Sequence, residues 1–146
     1  MSSKRIIERL SAAAEYAISR DDGRIFYVGA VGVRNDGATT VSRNCATDGP
    51  CPEAHAESRL VRKLDMHATV YVARMRRDGN WGMARPCPSC LRLMMTREVK
   101  RVYYTINNGE YGTINMKNIA LPTNPTRIRI DINMSGRWNR GSLAWD

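Results

Sequence analysis

Two short stretches carry the strongest structural signals in this chain: CPEAHAESRLV (residues 51–61) and ARPCPSCLRLMM (residues 84–95). The first holds one of the chain's two histidines, and the second holds two of its four cysteines. In each stretch a proline suits the first turn of a helix, and apolar residues follow at helical spacing. The pattern predicts one helix from Pro52 to about Asp65 and another that begins at Pro88.

Four side chains with metal or acid–base chemistry fall at the starts of these two helices. Cys87 and Cys90 are three positions apart, so they share one helix face. The helix dipole and the N–H groups at a helix start lower the pKa of a thiol, as metal binding requires. With His55 they form a ligand set that suits Zn²⁺, and three protein ligands leave a fourth position for water.

Glu57 is two residues after His55, so it cannot easily bind the same ion, but it lies at the same helix end. A carboxylate beside a metal-activated water can take its proton and pass it to a leaving group. This chemistry suits hydrolytic removal of an amino group, and we expect Glu57 to face solvent in a pocket. The alternative is a structural zinc site with an incidental glutamate, although structural sites usually have four protein ligands.

The rest of the chain predicts one central mixed sheet with helices on both faces, an α/β fold. An amphipathic helix covers residues 3–20, and an NDG turn joins strands at 24–34 and 39–46. Apolar positions predicted to face inward on the helices are Ile6, Ile7, Leu10, Ala13, Ala14, Ala17, Ile18, Leu60, Val61, Leu64, Leu91, Met94 and Met95. Further strands are predicted at 68–75, 99–106, 113–116 and, as a sheet edge, 126–133.

HAE (residues 55–57) followed by PCPSC (residues 86–90) resembles the zinc-dependent cytidine/deoxycytidylate deaminase superfamily, whose signature is H-x-E…P-C-x-x-C. VGAVGVRNDG (28–37), ATVYVAR (68–74) and VKRVYYT (99–105) fall where that family has its hairpin and core strands. The resemblance covers roughly residues 1–116. It implies a three-layer cytidine-deaminase-like fold: a five-stranded mixed sheet with the two motif helices side by side on one face.

The resemblance also implies roles for individual residues. His55, Cys87 and Cys90 would hold Zn²⁺, and Glu57 would carry protons from water to the pyrimidine ring and to departing ammonia. The backbone N–H groups of Ala56 and Cys87 would contact the base and the attacking hydroxide. Asn44, eleven positions before His55, would bind the sugar.

Other residues have two interpretations each. Trp81 precedes the motif cysteines and could stack on a base, or it could cover the edge of the core. Arg85 could bind phosphate, as could Arg74, Arg76 and Arg77 around the same loop, or all four could belong to a solvated face. Cys45, Cys51 and His67 could form a second zinc site, but His67 lies beyond the far end of the predicted helix, so an exposed His67 is favoured.

Composition limits the protein's class and setting. At 146 residues the chain is predicted to be one domain (1–146), with a core of about 1–116 and a variable C-terminal extension (117–146). No apolar run approaches the ~18 residues of a spanning helix, and the N-terminus is unlike a secretion signal. We therefore expect a cytoplasmic protein with reduced thiols and no membrane partner; a homo-oligomer is left open.

Charge and loop length bear on the substrate. Of the net charge of +9, residues 59–101 carry eleven Lys and Arg against three Asp and Glu, which favours an anionic partner. SRNCAT (42–47) lacks the NxEN pattern of free-cytidine deaminases, whereas NNGEYG (107–112) leaves no room for a helix common in polynucleotide and deoxycytidylate enzymes. We expect deamination of cytosine in a nucleotide. The alternatives are a single-stranded DNA or RNA substrate, adenine as the base, and an inactive nucleic-acid-binding module.

Overall fold

The computed structural model describes residues 3–18, 27–44 and 55–117. Within these ranges lie three helices and six strands. The helices are α1 (Ser3–Ala17), α2 (Ala56–Val61) and α3 (Pro88–Met95). The strands are β1 (Tyr27–Val33), β2 (Thr39–Arg43), β3 (Thr69–Met75), β4 (Trp81–Gly82), β5 (Arg101–Asn107) and β6 (Glu110–Asn115).

The strands form one mixed sheet in the order β2-β1-β3-β5-β6, with the two-residue β4 paired to β3. β3 and β5 are parallel, and the other pairs are antiparallel. The predicted α/β fold with a mixed central sheet is confirmed. β4, which lies in a stretch predicted to be a loop, makes a sixth strand.

Two cores lie on opposite faces of this sheet. On one face, α1 packs through Leu10 and Ala13 against Tyr71 and Tyr103. On the other, α2 with the turn after it and α3 pack against alternate residues of the same strands, among them Val70, Val72 and Val102. The packing side chains are Leu60 of α2, Leu64 of the turn, and Leu91 and Met94 of α3. Because side chains alternate along a strand, each strand serves both cores. The three-layer arrangement follows from this alternation.

The first hairpin turns at the predicted NDG sequence. Gly37 has φ of 92°, which glycine adopts without steric cost, and its N–H donates to the Arg34 carbonyl oxygen. The Asp65 carboxylate accepts hydrogen bonds from the N–H groups of Asn35 (2.9 Å) and Asp36 (3.3 Å). The turn is thereby tied to the segment that follows α2.

Gly29 sets how closely α1 approaches the sheet. A Cβ atom at this position would clash with the carbonyl oxygen of Ala13. The alanines of α1 and this glycine therefore let the helix lie directly on β1.

Several predicted boundaries and positions were wrong. α2 ends at Val61 and not near Asp65, because the next N–H groups bond three residues back, as in a tight turn. Met95 is 44% exposed, since α3 ends there and Met94 occupies the core-facing position. Ile18 is also exposed, one residue beyond the end of α1.

Some predictions fall outside the described residues. These are the start of the second helix at Pro52, the strand at 126–133 and most of the C-terminal extension. Among the described residues, none of the helices has the length and apolar character needed to cross a membrane.

Candidate functional site

Sheet topology brings the two motif helices together at one end of the sheet. β2 and β3 both pair antiparallel with β1, so they point the same way. α2 follows β2, and α3 follows β4, which pairs with the carboxyl end of β3. Both helices therefore start near the carboxyl ends of β2 and β3. α2 and α3 also contact each other. Their N-terminal residues, which are far apart in sequence, therefore converge.

His55 and Cys87 occupy equivalent places, because each is the residue that precedes the first residue of its helix. The Nδ1 atom of His55 lies 3.7 Å from Sγ of Cys87 and 3.4 Å from Sγ of Cys90. The three ligand atoms all lie within 4.8 Å of one another. The Sγ of Cys87 also accepts a hydrogen bond from the backbone N–H of Cys90 at 3.4 Å.

This cluster fits a zinc ion. Zinc binds nitrogen at about 2.0–2.1 Å and sulfur at about 2.3 Å, so two such ligands at the tetrahedral angle lie about 3.6 Å apart. The observed nitrogen–sulfur distances bracket that value. Among the residues that the structure describes, these three side chains form the one group with metal-binding geometry. Three protein ligands are typical of catalytic zinc sites.

The local electrostatics favour the charged forms of both Cys87 and His55. Burial alone would raise the pKa of Cys87, but hydrogen bonds from Cys90 and His55 lower it below the ordinary value. Burial would lower the pKa of His55, but the hydrogen bond to Cys87 and the charge of Glu57 raise it. The pKa of Cys90 is raised by its hydrogen bond to Cys87 and by burial. Binding of a cation would favour the deprotonated form of both thiols.

Glu57 lies beside this cluster and outside the ligand group itself, as its spacing from His55 predicts. Its pKa is raised to about 7, because burial disfavours the charged carboxylate more than the neighbouring His55 favours it. The expectation that Glu57 faces solvent was wrong: its side chain is buried, with 6% of the residue exposed. Its neighbours Ala56 and Ser58 are buried as well, so the first turn of α2 lies within the packed layer.

Ala56 directly follows His55 in the chain, and Asn44 lies eleven positions before His55, just after β2. The backbone N–H of Asn44 donates to the Val28 carbonyl oxygen, and its side-chain Oδ1 accepts from the Val28 N–H, both at 3.0 Å. Asn44 thus ends the β1–β2 ladder with its side chain held in place. Ala56 is fully buried at the first position of α2. Their contacts with sugar and base stay predictions.

The structure places Arg85 and Trp81 in packed positions. Arg85 is 4% exposed, its Nη1 donates to the Tyr104 hydroxyl at 3.2 Å, and its guanidinium lies over the Tyr104 ring. Trp81, in β4, packs against the core on the α1 face, opposite the motif helices. Their substrate contacts stay predictions, and both side chains have structural roles here.

The other predicted candidates lie apart from the cluster. Arg76 is exposed on the β3–β4 loop, where it pairs with Asp78 at 3.8 Å, and Arg77 is exposed beside it. His67 is exposed and faces Glu98 at 3.8 Å. Cys45 and Cys51 lie outside the described residues, so the second zinc site stays untested.

Ser42 is a residue of the site that sequence reasoning missed. Its buried hydroxyl donates to the Ala56 carbonyl oxygen at 2.5 Å, which ties β2 to the first turn of α2. Ser58 adds a second bond, from its hydroxyl to the His55 carbonyl oxygen at 3.2 Å. A serine in a strand gives no signal of this kind, because the partner is a backbone atom fourteen residues away.

Comparison with known proteins agrees with this geometry. Residues 2–106 match the family described as the cytidine and deoxycytidylate deaminase zinc-binding region. The chain belongs to this deaminase family. Membership implies a zinc cofactor, for which His55, Cys87 and Cys90 are the candidate ligands, and hydrolytic deamination of a cytidine-like substrate.

A comparison with solved structures also finds a cytidine deaminase. The chain is similar to a cytidine deaminase from Burkholderia pseudomallei, with a TM-score of 0.56 and 24% identity over 81% of this chain and 95% of that chain. At this identity the likeness is one of fold, and it confirms the cytidine-deaminase-like architecture. Among curated proteins there is no significant match.

Proposed function

We propose that this protein hydrolyses the amino group of cytosine in a phosphorylated cytidine substrate, a nucleotide, to give uracil and ammonia. The observation that carries the proposal is a cluster of three metal-binding side chains with a buried carboxyl group beside it. A purely structural zinc site would usually have a fourth protein ligand, and the described residues supply three.

Zinc, when bound by His55, Cys87 and Cys90, supplies Lewis-acid chemistry that makes water a better nucleophile near neutral pH. In the proposed reaction a C4–O bond forms and the C4–N4 bond of cytosine breaks. Glu57 takes a proton from the attacking water, delivers one to ring nitrogen N3 and assists the amino group to leave as ammonia. One buried carboxyl can do this because it lies beside the ligand cluster and is not itself a ligand.

Backbone groups at the two helix starts would position the base. The N–H groups of Ala56 and Cys87 point from the first turns of α2 and α3, where helix N–H groups lack partners within the helix. In the proposal they donate to the base and to the attacking oxygen. Asn44, held at the end of the β1–β2 ladder, would bind the sugar.

Phosphate on the substrate is supported by charge. The net charge is +9, and the excess lies between Arg59 and Arg101, the segment that contains the motif cysteines. A single strand of DNA or RNA would be attracted by the same positive charge and is the second candidate substrate. We further propose that residues 1–146 form one domain and that it acts in the cytoplasm, where thiols stay reduced.

The direct test is ammonia release from a panel of cytidine, deoxycytidine monophosphate, cytidine monophosphate, and cytosine- or adenine-containing single-stranded oligonucleotides. We expect the highest kcat/KM with a cytosine mononucleotide. A Glu57→Gln variant is the matched control, because it keeps the shape of the side chain and the metal ligands. Activity only on oligonucleotides would reject the nucleotide proposal in favour of the second candidate. No ammonia from any cytosine substrate by zinc-loaded protein would reject the reaction itself.

A further inference from the structure

A basic cleft crosses the outer edge of β2. Its volume is about 460 Å³, and its described lining residues are Tyr16, Ser42, Arg43, Arg59, Arg62 and Lys63. Four of these six side chains are cationic, and none of the six is acidic. The ligands His55, Cys87 and Cys90 are not among them. We call these six residues the edge cleft.

The edge cleft is built from three elements that the fold fixes in place. Arg43, at the end of β2, lies on the α1 face with its guanidinium 4.9 Å from the centre of the Tyr16 ring. Ser42 points to the opposite face, where it bonds to the start of α2. Arg59 and Arg62 are three residues apart, so they share a helix face. The cations therefore converge from both sides of the edge strand.

Positive charge is concentrated in the edge cleft, and part of it has no acidic partner among the described residues. Arg59 and Arg62 are exposed, and no carboxylate among the described residues pairs with either. Lys63 donates to the Val41 carbonyl oxygen at 2.7 Å, which uses one of its three N–H groups. Like charges brought together repel, and an anionic ligand would relieve that repulsion.

We propose that the edge cleft binds phosphate groups, at a place separate from the metal-ligand cluster. Guanidinium groups form paired hydrogen bonds with phosphate oxygens, and two of them on one helix face can hold neighbouring oxygens. The volume lies in the range of sites for small organic ligands, so there is room for more than one phosphate. The phosphates could come from a nucleotide or from a nucleic-acid backbone.

One hydrogen bond links the edge cleft to the proposed active site. Ser42 lines the cleft, and its hydroxyl bonds to the carbonyl oxygen of Ala56, which lies between His55 and Glu57. A ligand in the cleft that contacts Ser42 would therefore lie near the first turn of α2, which carries Glu57, the proposed acid–base group. The binding proposal itself does not require the deaminase reaction, so the two can fail separately.

The experiment measures binding to two probes that contain no cytosine: inorganic tripolyphosphate and a twelve-residue oligothymidine. Titration calorimetry at fixed low salt would compare wild-type protein with Arg59→Gln/Arg62→Gln. The matched control is Lys100→Gln/Arg101→Gln, which removes the same charge from exposed positions before and within β5. A third pair, Arg76→Gln/Arg77→Gln, tests the loop whose arginines have two interpretations in the sequence, phosphate binding or a solvated face.

We expect the cleft pair to weaken binding roughly tenfold or more, and the control and loop pairs to weaken it less than about threefold. With oligothymidine, the salt slope should also fall by about 1.4, which corresponds to two phosphate contacts. Tighter binding of tripolyphosphate identifies a nucleotide ligand, and tighter binding of oligothymidine identifies a strand.

Equal losses in all three pairs would mean that net charge alone attracts the probes, and the proposal would be overturned. A loss only in the loop pair would overturn it as well, as would no loss in any pair. Arg62→Glu serves as a second variant at an exposed position and should weaken binding more than Arg62→Gln. Circular dichroism and zinc content confirm that each variant is folded.

Discussion

The same strands form both faces of the sheet, but the two faces carry different kinds of side chain. On the α1 face the buried side chains are mainly small or aromatic: Tyr71 stacks on Tyr103 with ring centres 5.1 Å apart, and Tyr111 meets Tyr103 edge-on at 6.1 Å. On the α2/α3 face, an imidazole, two thiols and a carboxyl lie at the starts of two short helices. Both faces bury an apolar core, but the α2/α3 face also holds groups that are unfavourable to bury without a ligand.

Because the two faces differ, we expect substitutions on them to change different properties of the protein. Substitutions on the α1 face should lower the stability of a protein that still binds metal. Substitutions at the helix starts should abolish metal binding or catalysis in a protein whose α1 face is intact.

The largest effect is expected from Cys90→Ala. It leaves two ligands, so zinc binding and ammonia release should both fall below detection. Elemental analysis of the purified protein should change from about one zinc per chain to none. Leu93→Ala is the control, because Leu93 is exposed on the same helix. A Cys90→Ala protein with a full complement of zinc would show that the ligand set is different.

The next largest effect is expected from Glu57→Gln. The three ligands remain, so zinc content should stay at about one per chain, whereas kcat should fall by roughly 10²–10⁴-fold because general acid–base catalysis is lost. Glutamine is preferred to alanine because the site is buried, and alanine would leave a cavity. Glu98→Gln, at an exposed carboxyl, is the control. Near wild-type turnover by Glu57→Gln would place the proton carrier elsewhere.

The two motifs were predictable because their chemistry is local. His55 and Cys87 each precede a helix, and the residue types and spacings alone indicate a metal site. The sheet was predictable because alternating apolar residues and the NDG turn specify strands and a hairpin. The end of α2 was not predictable, because the turn after Val61 depends on contacts with distant residues, such as that of Leu64 with Gly32 of β1.

Burial and side-chain partners were the least predictable features. Arg85 resembles a surface cation in the sequence, yet it is buried with its guanidinium over the Tyr104 ring, because the chain before Cys87 packs against β5. Ser42 and the edge cleft depend on which residues β2 brings next to α2. Such contacts join distant positions through backbone atoms or through charge, and neither leaves a periodic signal.

On the α1 face, Leu10→Ala should destabilise the protein by about 2–5 kcal/mol, because it removes a fully buried side chain at the centre of α1. Urea unfolding measures the change, and Ile18→Ala, at an exposed position near the end of α1, is the control. The folded fraction should still contain about one zinc per chain. Loss of zinc from folded Leu10→Ala protein would mean that the two faces are coupled and that metal binding depends on the α1 core.

The smallest effect is expected at Asp65, a surface group of the α2/α3 side. Hydrogen bonds from the N–H groups of Asn35 and Asp36 lower its pKa below the ordinary value. Its contribution to stability is therefore present above the ordinary pKa of aspartate, about 3.9, and is lost as pH falls through the lower folded value.

Asp65→Ala should thus lower Tm slightly at pH 7, and the difference from wild type should disappear under strongly acidic conditions. Thermal unfolding followed at several pH values tests this, with Glu98→Ala as the control. A difference that stays constant from pH 7 down to pH 2 would show that the charge of Asp65 is not what stabilises the turn.

The bond from Lys63 to Val41 has a consequence for solubility. β2 ends the sheet on one side within the described residues, and an edge strand offers its carbonyl groups to the strands of other molecules. The ammonium group of Lys63 donates a hydrogen bond to one of these carbonyl oxygens, that of Val41, and brings a positive charge to the edge. A second copy that approached edge to edge would have to displace this bond and bring two basic clefts together. Strand-by-strand aggregation is disfavoured at this edge.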